Sequence, residues 1–118
     1  MTYQMQLATE YFEKIKNGTK TIECRLYDEK REKMRVGDTI EFSDTKNERH
    51  KILSEITALH QFPSFSELLD HFPITSFGGE NKGQFLSALK QFYSDEDEKK
   101  YGVVGIEIKL IKKEGVQV

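Results

Sequence analysis

With 118 residues, 36% of them hydrophobic and 32% charged, the chain holds enough apolar material for one core without disulfide or metal support. A net charge of −2 excludes a global basic field, so any nucleic-acid partner must meet a local patch or pocket. The lone cysteine, Cys24, excludes an internal disulfide; no apolar run approaches the roughly 20 residues of a membrane span and no charged-then-apolar leader opens the chain, which predicts a cytoplasmic protein forming a single domain over 1–118.

In chain order, Tyr3, Met5 and Leu7 alternate with Gln4 and Gln6, the two-residue period of a half-buried strand. Thr9 is placed to N-cap a short helix carrying Tyr11, Phe12 and Ile15, which Asn17-Gly18 ends. A second strand follows Lys20, with Ile22, Cys24 and Leu26 on one side and Thr21, Glu23 and Arg25 on the other. Cys24 therefore belongs to the apolar face, where a free thiol is inert.

The densely charged run from Tyr27 to Arg35 reads as a short helical turn or loop. Val36-Gly37-Asp38 turns into a strand over Thr39 to Ser43, Asp44 to Glu48 form a hairpin loop, and a longer strand spans His50 to His60. In that strand Ile52, Ile56 and Ala58 share one face and Leu53 and Leu59 the other, which predicts cover on both sides. Pro63 breaks it, and Ser64-Phe65-Ser66-Glu67 has the form of a capping box opening a helix with Phe65, Leu68 and Leu69 on its apolar stripe. A turn-rich segment from Thr75 to Gly83 precedes a third helix, about Lys82 to Tyr93, with Phe85, Leu86, Leu89 and Phe92 at helical spacing. Ser94 caps a further turn through the acidic run Asp95 to Glu98. Gly102 releases a last strand with Val104, Ile106, Ile108 and Leu110 on one face, and the tail after Lys112 is expected to fray. The order and turn signals predict an α+β domain on a curled, mostly antiparallel sheet.

The polar residues crowd into Lys20-Thr21-Ile22-Glu23-Cys24-Arg25, a hydroxyl, a carboxylate and a guanidinium in a row with an ammonium at its start. Strict alternation puts Lys20 on the side of Ile22, so a twist at the strand's start is needed to bring it to Glu23. Lys20 reads either as a phosphate, carbonyl or proton-transfer contact or as a solvated lysine after a turn. Glu23 and Arg25 read either as a same-face ion pair or as the rim of a pocket, with Glu23 accepting from a base amino group and Arg25 meeting a phosphate or carboxylate. His50, His60 and His71 lack metal-site spacing, so no metal and no cofactor are expected.

Gly18-Thr19-Lys20-Thr21-Ile22-Glu23-Cys24-Arg25, the insert Tyr27 to Lys33, and Val36-Gly37-Asp38-Thr39-Ile40-Glu41-Phe42 resemble the ASCH domain of the PUA-like superfamily. Tyr101 to Ile108 is similar to the family's closing strand. The resemblance implies a PUA-like, mostly antiparallel β-barrel with helices packed at its side and a cleft beside the Lys20 strand. It also implies interaction with RNA and, in some members, activity on RNA or modified nucleosides. One bacterial branch hydrolyses N4-acetylcytidine with a lysine, a threonine three positions later and a distant glutamate. Lys20 matches that lysine and Glu80 the glutamate, while the threonine position holds Glu23. Two readings follow. In the first, Lys20, Thr21, Glu23, Arg25 and Tyr27 line a cleft for RNA or a nucleoside-like small molecule, Tyr27 or Phe77 stacking on a base or packing in the core. In the second, Glu23 or Glu80 activates water against an acylated nucleobase and Lys20 stabilises the oxyanion.

Overall fold

The first alternating segment forms β1 (Thr2–Leu7), with Met5 and Leu7 buried and Gln4 and Gln6 exposed. The computed structural model showing this describes residues 1–112, so the tail expected to fray lies outside the described residues. Helix α1 (Thr9–Lys16) buries Phe12 and Ile15. Its N-cap is Ala8 rather than Thr9, because the Thr9 hydroxyl donates to Asp44 at 2.6 Å and is lost to capping. Strand β2 (Ile22–Leu26) starts two residues after Lys20. The charged insert becomes α2 (Glu29–Glu32), capped by Asp28, whose carboxylate accepts from Arg31 N.

After a turn closed by Asp38 N donating to Arg35 O, β3 (Thr39–Asp44) and β4 (Asn47–Phe62) form a hairpin. Its turn is only Thr45-Lys46, since the strand pairing continues into residues the composition assigns to a loop. Ser64 caps α3 (Phe65–Asp70), accepting from Glu67 N at 3.2 Å, and Phe65, Leu68 and Leu69 are buried as the stripe predicts. A 3-10 turn (Ile74–Phe77), α4 (Lys82–Phe92), α5 (Asp95–Tyr101) and β5 (Val103–Lys112) complete the described chain.

The strands form one sheet in the order β1-β3-β4-β5-β2, with β1 parallel to β3 and the other pairs antiparallel. Register shifts against β5, between Leu53 and Ser54 and between Ile56 and Ala58, bend the 16-residue β4 and curl the sheet. The second shift also explains a difference from strict alternation. It turns Leu59, rather than Ala58, onto the face of Ile52 and Ile56, where Leu59 packs against the same core.

That core lies inside the curl, where α1 sets Phe12 and Ile15 against Ile40, Phe42, Ile52, Ile56, Val104 and Ile106. A second core covers the outer face: Ile22, Cys24, Leu26 and Val103 meet Phe65, Leu68, Phe77 and Phe85. Gly105 makes the close approach of α3 possible, because a Cβ there would stand 2.8 Å from Leu68 Cδ1. Burying β2 on both faces leaves its polar row nowhere to go but into the curl. The two sheet edges, β1 and β2, face each other across an open seam.

Candidate functional site

Glu23 and Arg25 lie opposite Ile106 and Val104 on β5, so their side chains share the inner face of the sheet. Ile22, Cys24 and Leu26 take the outer core, as the alternation predicts. Lys20 precedes the strand and escapes its two-residue period. Its backbone N donates to Lys14 O, Thr21 N donates to Ser76 O, and the side chain is folded back beneath the 3-10 turn. Gly78 admits the lysine stem: its φ is 89°, and a Cβ there would sit 3.1 Å from Lys20 Cδ and from Tyr11 Cδ1.

The Lys20 ammonium donates to Phe77 O at 2.7 Å and Ile22 O at 2.9 Å, and lies 3.1 Å from Glu23 Oε1. An ammonium has three N–H groups, and these three acceptors engage them all. The other carboxylate oxygen, Oε2, accepts from Arg25 Nε at 2.7 Å. Arg25 Nη2 then donates across the seam to Gln6 O on β1 at 3.3 Å. The row Lys20–Glu23–Arg25 thus spans from the 3-10 turn to the opposite sheet edge, with side-chain exposures of 2%, 9% and 17%.

Burial alone would raise the Glu23 carboxyl, but the Lys20 and Arg25 charges and their hydrogen bonds outweigh it and hold the group below its ordinary value. Glu23 is therefore an ionised acceptor at neutral pH. Burial pushes the Cys24 thiol up to about 12, which keeps it protonated and unreactive.

A cavity of about 490 Å³ opens over this row. Gln6, Glu23 and Arg25 supply its polar groups, while Tyr11, Phe85, Leu89, Phe92 and Tyr93 supply apolar walls. Lys20 lies at its base, 5.4 Å from the Tyr11 ring centroid and 6.0 Å from that of Phe85. Beyond Tyr11, Phe85 and Ala88, which both hollows share, a smaller one of about 170 Å³ is bordered by Glu10, Lys14, Glu80, Asn81 and Gln84.

Of the residues singled out from sequence, Lys20, Glu23 and Arg25 meet around one cavity. Glu80 borders the smaller hollow instead, on the far side of Tyr11 and Phe85. Thr21 is exposed and outside the lining, Tyr27 packs against the inner core, and Phe77 is fully buried. The sequence reading missed Gln6, Tyr11, Phe92 and Tyr93 as wall residues. A signal existed for the last two: neighbouring aromatics at the end of α4, where Tyr93 is the C-cap, cannot both face the same core. Phe92 is 81% exposed at the cavity's edge, while Tyr93 packs on Phe65 at 5.2 Å between centroids. Among the described residues, no cluster of three His, Cys, Asp or Glu side chains is arranged to hold a metal, and no helix is long and apolar enough to cross a membrane.

A curled, mixed five-stranded sheet with helices alongside and a charged cleft at its seam defines a PUA-like α+β protein. The chain belongs to the ASCH-domain family, whose sequence profile matches residues 5–112. The crystal structure of the hypothetical protein PH0355 is similar, at 40% identity and a TM-score of 0.83, over 94% of this chain and 100% of that one. The solution structure of PF0455 from Pyrococcus furiosus is 36% identical with a TM-score of 0.75, over 94% of this chain and 98% of the other. An ASCH protein from Zymomonas mobilis shares the fold at 14% identity and a TM-score of 0.56, covering 98% of this chain and 73% of that protein. No curated protein matches the chain. The PUA-like fold of this family is associated with RNA binding.

Proposed function

We propose that the cleft between β1 and β2 binds an RNA nucleotide or a nucleoside-like small molecule. The observation that carries this reading is the placement of an ionised acceptor beside a donor under aromatic walls. Among the described residues, Arg25 engages two of its five N–H groups, through Nε and Nη2, and the rest are left for a ligand. A cavity of about 490 Å³ is within the range that suits small ligands. Tyr11, Phe85 and Tyr93 offer faces for a base, and stacking is worth roughly 1–3 kcal/mol per base. In this reading Lys20 is a positioning residue that acts through Glu23, and Arg25 and Glu23 touch the ligand.

Hydrolysis of an acylated nucleoside is less well supported. Lys20 has no N–H left for an oxyanion, the lowered Glu23 carboxyl is a weak base, and Glu80 borders a separate hollow. Calorimetric titration of the purified protein with nucleosides and short oligoribonucleotides tests the binding reading. Affinity is expected to fall about 10-fold in Arg25→Ala, with a salt slope near about −1 for a single phosphate contact. Absence of binding to either class refutes it. Acetate release from N4-acetylcytidine that disappears in Lys20→Ala would favour the hydrolase.

A further inference from the structure

We infer that the cleft selects a ligand with a 2-amino-4-oxopyrimidine edge, the edge carried by guanine, through the ordered free functions of Glu23 and Arg25. The inference rests on the binding function proposed above and adds the identity of the base. An ionised carboxylate accepts at about four lone-pair positions, two on each oxygen. Lys20 occupies one position on Oε1 and Arg25 Nε one on Oε2, so one acceptor position remains on each oxygen. Beyond Oε2 lie the uncommitted N–H groups of the Arg25 guanidinium. Read from the Lys20 side toward the seam, the row therefore offers acceptor, acceptor, donor. Lys20 is fixed by two buried carbonyls and Arg25 is tied across the seam to Gln6 O, so rotating the carboxylate only exchanges its two equivalent oxygens and leaves the order unchanged.

Base edges differ in this order. The guanine edge runs donor, donor, acceptor through its 2-amino group, N1–H and O6. That is the complement of the row. Cytosine presents donor, acceptor, acceptor; uracil presents acceptor, donor, acceptor; adenine presents one amino donor beside one acceptor. Each of these sets at least one lone pair against a carboxylate oxygen or leaves that charged oxygen unpaired. A site built to pair two N–H groups rejects a ligand lacking one of them more strongly than an apolar pocket rejects a missing methylene. The walls formed by Tyr11, Phe85 and Tyr93 add stacking without discriminating among bases.

The test is a calorimetric panel on the whole chain with guanosine, inosine, 1-methylguanosine, adenosine, cytidine, uridine and pterin. Guanosine is expected to bind at least about 10-fold tighter than inosine, which lacks the 2-amino donor, and than 1-methylguanosine, which lacks N1–H. Pterin carries the same edge, so whichever of pterin and guanosine binds tighter identifies the source of the edge. In Glu23→Gln the guanosine-to-inosine ratio should fall to within about 2-fold, because an amide offers only one acceptor atom. Should that variant not fold, the 1-methylguanosine comparison on the unaltered protein tests the same pairing. Equal binding of inosine and guanosine, or tighter binding of a pyrimidine or adenosine, overturns the inference and leaves the binding function standing. Failure of every ligand to bind overturns the inference, and the binding function falls with it when short oligoribonucleotides fail as well.

Discussion

Lys20→Met removes the ammonium while keeping most of the stem that Gly78 and Tyr11 enclose. The carboxylate of Glu23 then keeps only Arg25, and the Phe77 and Ile22 carbonyls lose a donor in a region closed to water. Removing one partner of a buried ion pair costs about 3–5 kcal/mol when the other charge is left uncompensated, and because Glu23 keeps Arg25 at 2.7 Å the loss is expected at the low end of that range. At 2% and 9% side-chain exposure the Lys20–Glu23 pair belongs to that class rather than to surface pairs worth under about 1 kcal/mol. Against a stability of about 5–15 kcal/mol for a domain this size, the variant should lose about a fifth or more of the total. Urea unfolding followed by circular dichroism measures the loss. The double variant Lys20→Met, Glu23→Leu should recover part of it, since no carboxylate is stranded and Arg25 can turn toward the cavity. A Lys20→Met variant within about 1 kcal/mol of the parent would refute the description of Lys20 as a buried strut.

The same row sets an acid limit. Glu23 titrates below its ordinary value of 4.5 in the folded chain, so the unfolded state takes up the proton first. Its contribution is complete above about pH 4.5 and is lost as pH falls through the folded value; urea midpoints measured across that window should decline less steeply in Glu23→Gln, and an unchanged slope would remove Glu23 as a cause. The buried Glu98 carboxylate accepts from Phe65 N at 2.6 Å and Lys90 Nζ at 2.7 Å, tying α3 and α4 to α5. Glu98→Ala orphans the Phe65 N–H and should cost about 2–4 kcal/mol in the same unfolding measurement. Phe92→Ala should leave stability within about 0.5 kcal/mol because the ring is 81% exposed, yet weaken oligoribonucleotide binding if a base stacks at the cleft's mouth. Unchanged affinity would take Phe92 out of the site.

The helices were legible where side-chain oxygen and apolar stripe agree, as at Ser64 with Leu68 and Leu69 and at Ser94 ahead of the acidic run. They were misjudged where a tertiary partner competed, as when Asp44 drew the Thr9 hydroxyl away from the cap. Strand faces followed alternation except in β4, whose register shift exchanges the roles of Ala58 and Leu59. In the site, the Glu23–Arg25 adjacency was visible because two residues on one strand face are neighbours by geometry alone.

What the sequence by itself determined is the local: which segments become strands and helices, which faces are apolar, the family pattern, and the polar row on β2. Only the tertiary structure decided that this row points into the curl rather than toward solvent, because α3, α4 and the 3-10 turn cover the other face. It also decided that Lys20 reaches Glu23, that Glu80 stands behind Tyr11 and Phe85, and that Gln6 O meets Arg25 across the seam. These are contacts between elements far apart in the chain. They follow from how a bulged sheet bends and how tightly helices approach it at Gly78 and Gly105, quantities that no local period encodes.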